Sequence, residues 1–124
     1  MKIFLKKYQK RKEVTDEFYK FKRLIRDCVL KSFKRTNHRK NSYAKDIIGT
    51  DFETAWLYLK TTWEKNYGVE YNGEPYHIDH IIPLSTAQNE EDVIRLCYYT
   101  NLQMLKPEDN LEKSDKLDWK INKE

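Results

Sequence analysis

Four polar side chains in the second half of the chain could act together on a phosphate group. Asp79 lies in a largely apolar segment, where an isolated carboxylate would be costly, so we expect a cation beside it. That cation could be a lysine or arginine in a salt bridge, or a metal ion. His80 carries the side chain best suited to accept a proton near neutral pH, although a strand histidine is more often a packed core or edge residue. With the carboxamides of Asn101 and Asn110, this set suits metal-assisted hydrolysis of a phosphodiester.

Each carboxamide also has a simple structural interpretation. Asn101 could hydrogen-bond the backbone at a turn or strand edge. We expect its function to be close to that role, with the amide tying loop 83–96 to the backbone near His80 and thereby fixing the imidazole. Asn110 could be an ordinary polar residue at a helix start or a neutral metal ligand. Lys113 follows three residues later on the same helix face, where its charge could reach a phosphate.

The apolar spacing upstream predicts helices. Residues 14–34 repeat apolar side chains at intervals of three and four, as expected for one buried helix face. Residues 1–12 are mostly cationic and are expected to be frayed or disordered. A short helix over 42–48 should end at Gly49, and Thr50 is predicted to cap the next helix. That helix should run to about Lys65 with an aromatic stripe in the core: Phe52, Trp56, Leu59 and Trp63.

The downstream pattern predicts a strand–loop–strand–helix unit. Residues 76–82 favour a strand that ends at Pro83, and 97–105 favour a second strand after a helical turn at 92–96. Pro107 suits the first turn of a helix to about Lys116. Neighbouring residues in a regular strand point to opposite faces, so Asp79 and His80 could share a site only if the backbone at 79–81 is twisted or irregular. The fold class is therefore α+β, with an N-terminal helical region before this unit.

Charge divides the chain into two parts. Residues 1–45 contain 16 Lys and Arg against 4 Asp and Glu, whereas residues 46–124 contain 8 against 16. The basic part predicts a surface that follows a nucleic-acid backbone, although a solvated helix face or a site for an acidic protein partner would have the same composition. The candidate DNA contacts in this part are Arg23, Arg26, Arg35, Arg39 and Lys40.

Size and cysteine content restrict the class of protein. A chain of 124 residues predicts one compact domain. Cys28 and Cys97 do not form a C-x-x-C pair, so neither a disulfide framework nor a structural zinc site is expected. No secretory signal and no apolar stretch long enough for a membrane span is found. These features predict an intracellular protein without a membrane partner, and they leave its oligomeric state open.

The ordered motifs resemble the HNH endonuclease family, whose nuclease unit is a ββα-metal fold. The resemblance is carried by D-H-I-x-P within residues 76–85, N-L-Q within 99–105 and N-x-x-K within 110–116. A weaker similarity to phage and homing-type members extends upstream through 47–49 and 63–68. The sequence departs from many relatives at Tyr98 and Asn110, where they carry histidine.

The resemblance implies that two regions of the chain have different functions. Residues 66–124 would form the ββα-metal nuclease unit, and residues 1–65 a basic DNA-binding region packed on it. Asp79 and Asn110 would hold one Mg²⁺ or Mn²⁺, His80 would be the general base and Asn101 the structural asparagine. The cytoplasm of a bacterium or of a phage-infected host cell would be the setting. A catalytically inactive nucleic-acid-binding module on the same fold is the alternative.

Overall fold

The computed structural model describes residues 2–36 and 44–121, with only the backbone described for residues 2–15 and 45. The elements, in chain order, are α1 Lys2–Arg35, α2 Ala44–Ile48, α3 Phe52–Tyr67, β1 His77–His80, α4 Glu90–Leu96, β2 Leu102–Leu105 and α5 Pro107–Lys113. Short 3₁₀ turns occupy Leu84–Thr86 and Tyr99–Asn101. This mixture of helices with a small antiparallel sheet confirms the predicted α+β class.

Helix α1 provides one wall of the hydrophobic core. Its buried face consists of Phe21, Ile25, Val29 and Phe33, each at most 2% exposed. The helical backbone begins at Lys2, whereas residues 1–12 were expected to be frayed or disordered. Residues 2–13 consist largely of strong helix formers and contain neither proline nor glycine, which accounts for the continuous helical backbone.

Helices α2 and α3 are separated by a tight turn at Gly49, which has a left-handed φ of 79°. The predicted cap was wrong by one residue, because Asp51 rather than Thr50 precedes the first helical residue. The Asp51 carboxylate accepts a hydrogen bond from the Thr54 backbone N–H at 2.6 Å. That bond favours the ionised carboxylate and lowers the pKa of Asp51. The aromatic stripe of α3 packs into the core as predicted, with Phe52 half-buried. The helix ends at Tyr67, and Gly68 is its C-cap.

Strands β1 and β2 form a short antiparallel hairpin, in which His77 faces Leu105 and His80 faces Leu102. Both strands are shorter than predicted. β1 ends at His80, before a bend at Ile81. β2 begins only at Leu102, because Cys97 caps α4 and a 3₁₀ turn occupies Tyr99–Asn101. The hairpin packs on α3, where the Met104 backbone N–H donates to the Thr62 hydroxyl at 2.9 Å. Helix α5 ends at Lys113, three residues earlier than predicted. Within residues 2–36 and 44–121, no helix combines the length and apolar character needed to cross a bilayer.

Candidate active site

Four of the predicted site residues line one cavity of about 630 Å³: Asp79, His80, Asn110 and Arg35. Asp79 and His80 reach it from β1, and Asn110 reaches it from α5. Helix α1 forms the facing wall with Ser32 and Arg35. The fold thus brings a carboxylate, an imidazole and a carboxamide to a common space, although they are separated by up to 31 positions in sequence.

The Asp79 carboxylate has two protein partners on one of its oxygens. Asp79 is 8% exposed, and its Oδ2 accepts a hydrogen bond from Gln103 Nε2 at 2.9 Å. Gln103 is directly opposite on β2, and the Lys113 ammonium lies 3.3 Å from the same oxygen. Burial raises the pKa of Asp79, while Gln103 and Lys113 act in the opposite direction by favouring the charged form. No residue of the described part of the chain donates a hydrogen bond to Oδ1, so that oxygen can accept a further ligand.

Lys113 has a different role from the one expected. We predicted that it contacts a DNA phosphate, but its side chain is buried, and the residue is only 3% exposed. Its ammonium pairs with Asp79 and donates to the His80 backbone carbonyl at 3.1 Å. A buried lysine needs such partners, because an unpaired ammonium in the interior would be strongly destabilising. Lys113 therefore links α5 to β1 rather than presenting its charge to a ligand.

His80 lies between the hairpin and α1. Its Nε2 atom is 3.2 Å from Ser32 Oγ and lies near the sulfurs of Cys97 and Cys28, at 3.8 and 4.0 Å. Burial lowers the pKa of His80 to about 4, and the positive charges of Arg35 and Lys113 add to this effect. The imidazole is therefore neutral near pH 7, as a proton acceptor must be.

The strand geometry differs from our expectation at residues 79–81. The ladder pairs Asp79 with Gln103 and His80 with Leu102 without interruption. The predicted irregularity is absent from these two positions, and the strand ends in a bend at Ile81. Both residues nevertheless line the cavity, which extends along β1 and also includes His77 and Ile78.

Asn101 forms the contacts that the sequence suggested. Its Oδ1 accepts from the Ile82 backbone N–H at 2.9 Å, and its Nδ2 donates to the carbonyls of Ile82 and Leu96 at 3.1 and 2.8 Å. The amide thus joins the start and end of the segment between β1 and β2. Asn101 lies in the 3₁₀ turn before β2 rather than on the strand itself. Its effect on the His80 imidazole stays a prediction.

Asn110 lies in the middle of α5, near the exposed end of β1. Its Nδ2 is 3.0 Å from His77 Nδ1, and no donor within the described ranges bonds its Oδ1. Asp79 Oδ1 and Asn110 Oδ1 are hard oxygen ligands, which suit Mg²⁺ or Mn²⁺. Among residues 2–36 and 44–121, no three His, Cys, Asp or Glu side chains are grouped as a metal site. A metal here would therefore depend on one carboxylate, one carboxamide and further oxygens from water or phosphate, a set that Mg²⁺ accepts.

The predicted DNA contacts fall in different environments. Arg23 and Arg26 are exposed on α1, with the Arg26 guanidinium 4.9 Å from the Phe52 ring centroid. Arg35 lines the cavity and therefore lies beside the candidate active site, unlike Arg23 and Arg26. Arg39 and Lys40 lie outside the described residues.

Gln103, Ser32 and His77 contact residues of the candidate site but were given no role from the sequence. Gln103 belongs to the N-L-Q motif but received no role, and Ser32 was not considered. Ser32 lies four residues after Cys28, so it continues the apolar stripe of α1 with a polar side chain. A hydroxyl on a buried helix face needs a partner, and that requirement was the available signal.

Comparison with known proteins shows similarity to two uncharacterized viral proteins. The chain is 26% identical to uncharacterized protein L426 of Acanthamoeba polyphaga mimivirus over 110 residues, which cover 87% of this chain and 48% of that protein. It is also 26% identical to uncharacterized protein L246 of the same virus over 106 residues, covering 84% and 46%. The chain spans about half the length of these curated relatives. No family model matches it, and no solved structure matches it.

Proposed function

We propose that the chain is a metal-dependent endonuclease of the HNH type that hydrolyses DNA phosphodiester bonds. The ββα unit would comprise β1, β2 and α5, with residues 1–65 as a basic DNA-binding region packed on it. The observation that supports this proposal best is the shared cavity of Asp79, His80 and Asn110, with Arg35 on its facing wall. The order of the motifs in the sequence supports the same activity.

Asp79 and Asn110 are the residues that would hold Mg²⁺ or Mn²⁺, each through its Oδ1 atom. A bound divalent ion supplies positive charge that stabilises the phosphate and the departing oxygen by several kcal/mol. The Lys113 ammonium remains on the other oxygen of Asp79, where its charge favours the ionised carboxylate and fixes its orientation. Gln103 holds the same oxygen from the opposite strand.

His80 would act as the general base. The neutral imidazole takes a proton from a water molecule, the water oxygen bonds to phosphorus, and the bond between phosphorus and the 3′ oxygen breaks. The leaving 3′ oxygen gains a proton from solvent. Such proton transfer typically contributes about 10²–10⁴-fold to the rate. Asn101 would support this step by holding the backbone that follows His80.

Helix α1 would hold the DNA backbone beside the cavity. Arg23 and Arg26 are exposed on it, and Arg35 reaches the cavity at its C-terminal end. Contacts of this kind are made to phosphates and displace counterions, so binding should be insensitive to sequence and should weaken steeply with salt.

Nicking of supercoiled plasmid in Mg²⁺ or Mn²⁺ tests the proposal. We expect the wild type to nick and chelation of the metal to stop it. His80→Ala and Asn110→Ala should each lower the nicking rate by about 100-fold or more while plasmid binding in a gel shift is retained. Asn72→Ala is the matched control, since Asn72 is an exposed turn residue that does not line the cavity. Nicking by His80→Ala at the wild-type rate would refute the general-base role.

One observation favours a second candidate, a catalytically inactive nucleic-acid-binding module. Lys113 already neutralises Asp79, so the carboxylate does not require a metal for its charge. This candidate predicts a salt-sensitive gel shift without nicking in either metal. Absence of any salt-sensitive shift would instead favour an interaction with an acidic protein.

A further inference from the structure

We propose that Ser32 is a positioning residue that holds His80 as the Nε2–H tautomer and leaves Nδ1 as the atom that accepts the proton. This inference rests on the proposed function, because it assigns the base atom of the same site. It also assigns α1 a role in the reaction in addition to DNA binding.

The Ser32 hydroxyl has two hydrogen-bonding contacts but only one hydrogen to donate, and this supports the assignment. Ser32 Oγ lies 2.6 Å from the Cys28 carbonyl oxygen, which can only accept a hydrogen bond. The hydroxyl has one hydrogen, and that contact uses it. Ser32 Oγ is also 3.2 Å from His80 Nε2, and in this second contact the oxygen can only accept. The hydrogen must therefore come from Nε2, and a neutral imidazole with a proton on Nε2 has none on Nδ1.

The surroundings of Ser32 keep this arrangement in place. Ser32 is 1% exposed, so water does not compete for its hydroxyl, and the helix backbone fixes the Cys28 carbonyl. The thiols of Cys28 and Cys97 lie beside the same ring nitrogen and are weak hydrogen-bonding groups. Ser32 Oγ is thus the strongest partner that Nε2 has in the described part of the chain.

The opposite ring nitrogen is available for chemistry. No donor or acceptor in residues 16–36 and 44–121 hydrogen-bonds Nδ1, whereas Nε2 faces α1. His80 lines the cavity together with Asp79 and Asn110. For His80 to act as the base, a water molecule at the candidate metal must reach the unprotonated Nδ1 atom. A flipped tautomer would present a proton instead and could not act as a base.

The imidazole tautomer can be read directly in the metal-free wild-type protein. A long-range ¹H–¹⁵N correlation spectrum at neutral pH distinguishes the tautomers by the ¹⁵N shifts and by which ring protons couple to each nitrogen. The chain has three histidines, and His80→Gln identifies the signals of residue 80. We expect the Nε2–H pattern. The Nδ1–H pattern would overturn the proposal whether or not the protein cuts DNA.

Substitution of Ser32 tests its role in holding this tautomer. Ser32→Ala should shift the His80 signals toward a mixture of tautomers and lower kcat for nicking by about tenfold or more, with an unchanged affinity for DNA. Ser32→Thr retains a hydroxyl and should restore both. Thr36→Val is the matched control for the spectrum, because the Thr36 hydroxyl on the same helix bonds the Ser32 and Phe33 carbonyls and not His80.

The outcomes separate this inference from the proposed function. An Nε2–H signal in the wild type with full nicking by Ser32→Ala would overturn the positioning role alone. A wild type that fails to nick in either metal would refute the endonuclease, and with it a catalytic role for Ser32. The spectrum would still decide the tautomer in that case.

Discussion

The buried pair of Asp79 and Lys113 provides a stringent test of the structure. The Lys113 ammonium lies 3.3 Å from Asp79 Oδ2. Lys113→Met keeps the apolar stem and removes the ammonium. The Asp79 carboxylate then remains buried with Gln103 as its partner. Breaking a buried pair by removing one member costs about 3–5 kcal/mol. Here the His80 carbonyl loses its donor as well, and Asp79 and Lys113 are only 8% and 3% exposed. We therefore expect a loss of free energy of unfolding within that range.

The loss of free energy of unfolding in Lys113→Met should become smaller as the pH falls. Burial already raises the pKa of Asp79, and loss of the lysine removes a charge that lowered it. When the carboxyl is protonated in the folded variant, the uncompensated charge disappears. The difference between variant and wild type should thus shrink as the pH falls from 7 through the raised pKa.

Urea unfolding followed by tryptophan fluorescence at several pH values measures this difference. The double variant Asp79→Asn/Lys113→Met should recover most of the lost free energy, because neither charge remains in the interior. Lys116→Met is the control at an exposed lysine close to the end of α5 and should change stability by less than about 0.5 kcal/mol. A loss for Lys113→Met below about 1 kcal/mol at pH 7 would refute the buried pair.

Three further outcomes are expected. Asn101→Ala should lower the free energy of unfolding by about 2 kcal/mol in urea, since three backbone groups lose their partner; an unchanged midpoint would contradict these bonds. The pKa of His80 is about 4 in the folded protein and 6.5 when free, so below pH 6.5 the imidazole takes up a proton when the chain unfolds. Stability should fall by up to about 3 kcal/mol between pH 6.5 and 4, and His80→Gln should lessen that fall. Gly49→Ala should lower Tm, because its Cβ would overlap the Tyr98 ring; Tyr98→Ala should relieve only part of the loss, since the positive φ remains strained.

The helical half of the fold was largely predictable because its signals are local. The stripe of Phe52, Trp56, Leu59 and Trp63 follows helical periodicity. The structure buries the last three residues and packs Phe52 half-buried against the core. The left-handed glycine after each of α2 and α3 was likewise predictable from residue type. Boundaries were less accurate at residues 97–101, where apolar side chains favour a strand but the chain ends a helix and turns.

The residues of the candidate site could be predicted from the sequence only in part, and their contacts less well. Residues 79, 80 and 110 line one cavity, as their order in the motifs suggested. The burial of Lys113 could not be predicted from its spacing, because helical periodicity gives the face and not the depth at which that face lies. Ser32 contacts His80 across 48 positions in sequence, and such a distant contact depends on how α1 packs against the hairpin.

The hairpin of β1 and β2 depends on packing against the long helices α1 and α3. This dependence limits how the hairpin could be transferred into another protein. The strands contribute four residue pairs and α5 adds two turns, which is too little buried surface to fold alone. Leu102 and Met104 belong to the core that α3 helps to form, and α1 encloses His80. A segment cut at residues 76–116 would carry the residues of the candidate site into a new host without the helices that pack against them. Recombination that preserves the arrangement of the candidate site would have to exchange α1 and α3 along with the hairpin.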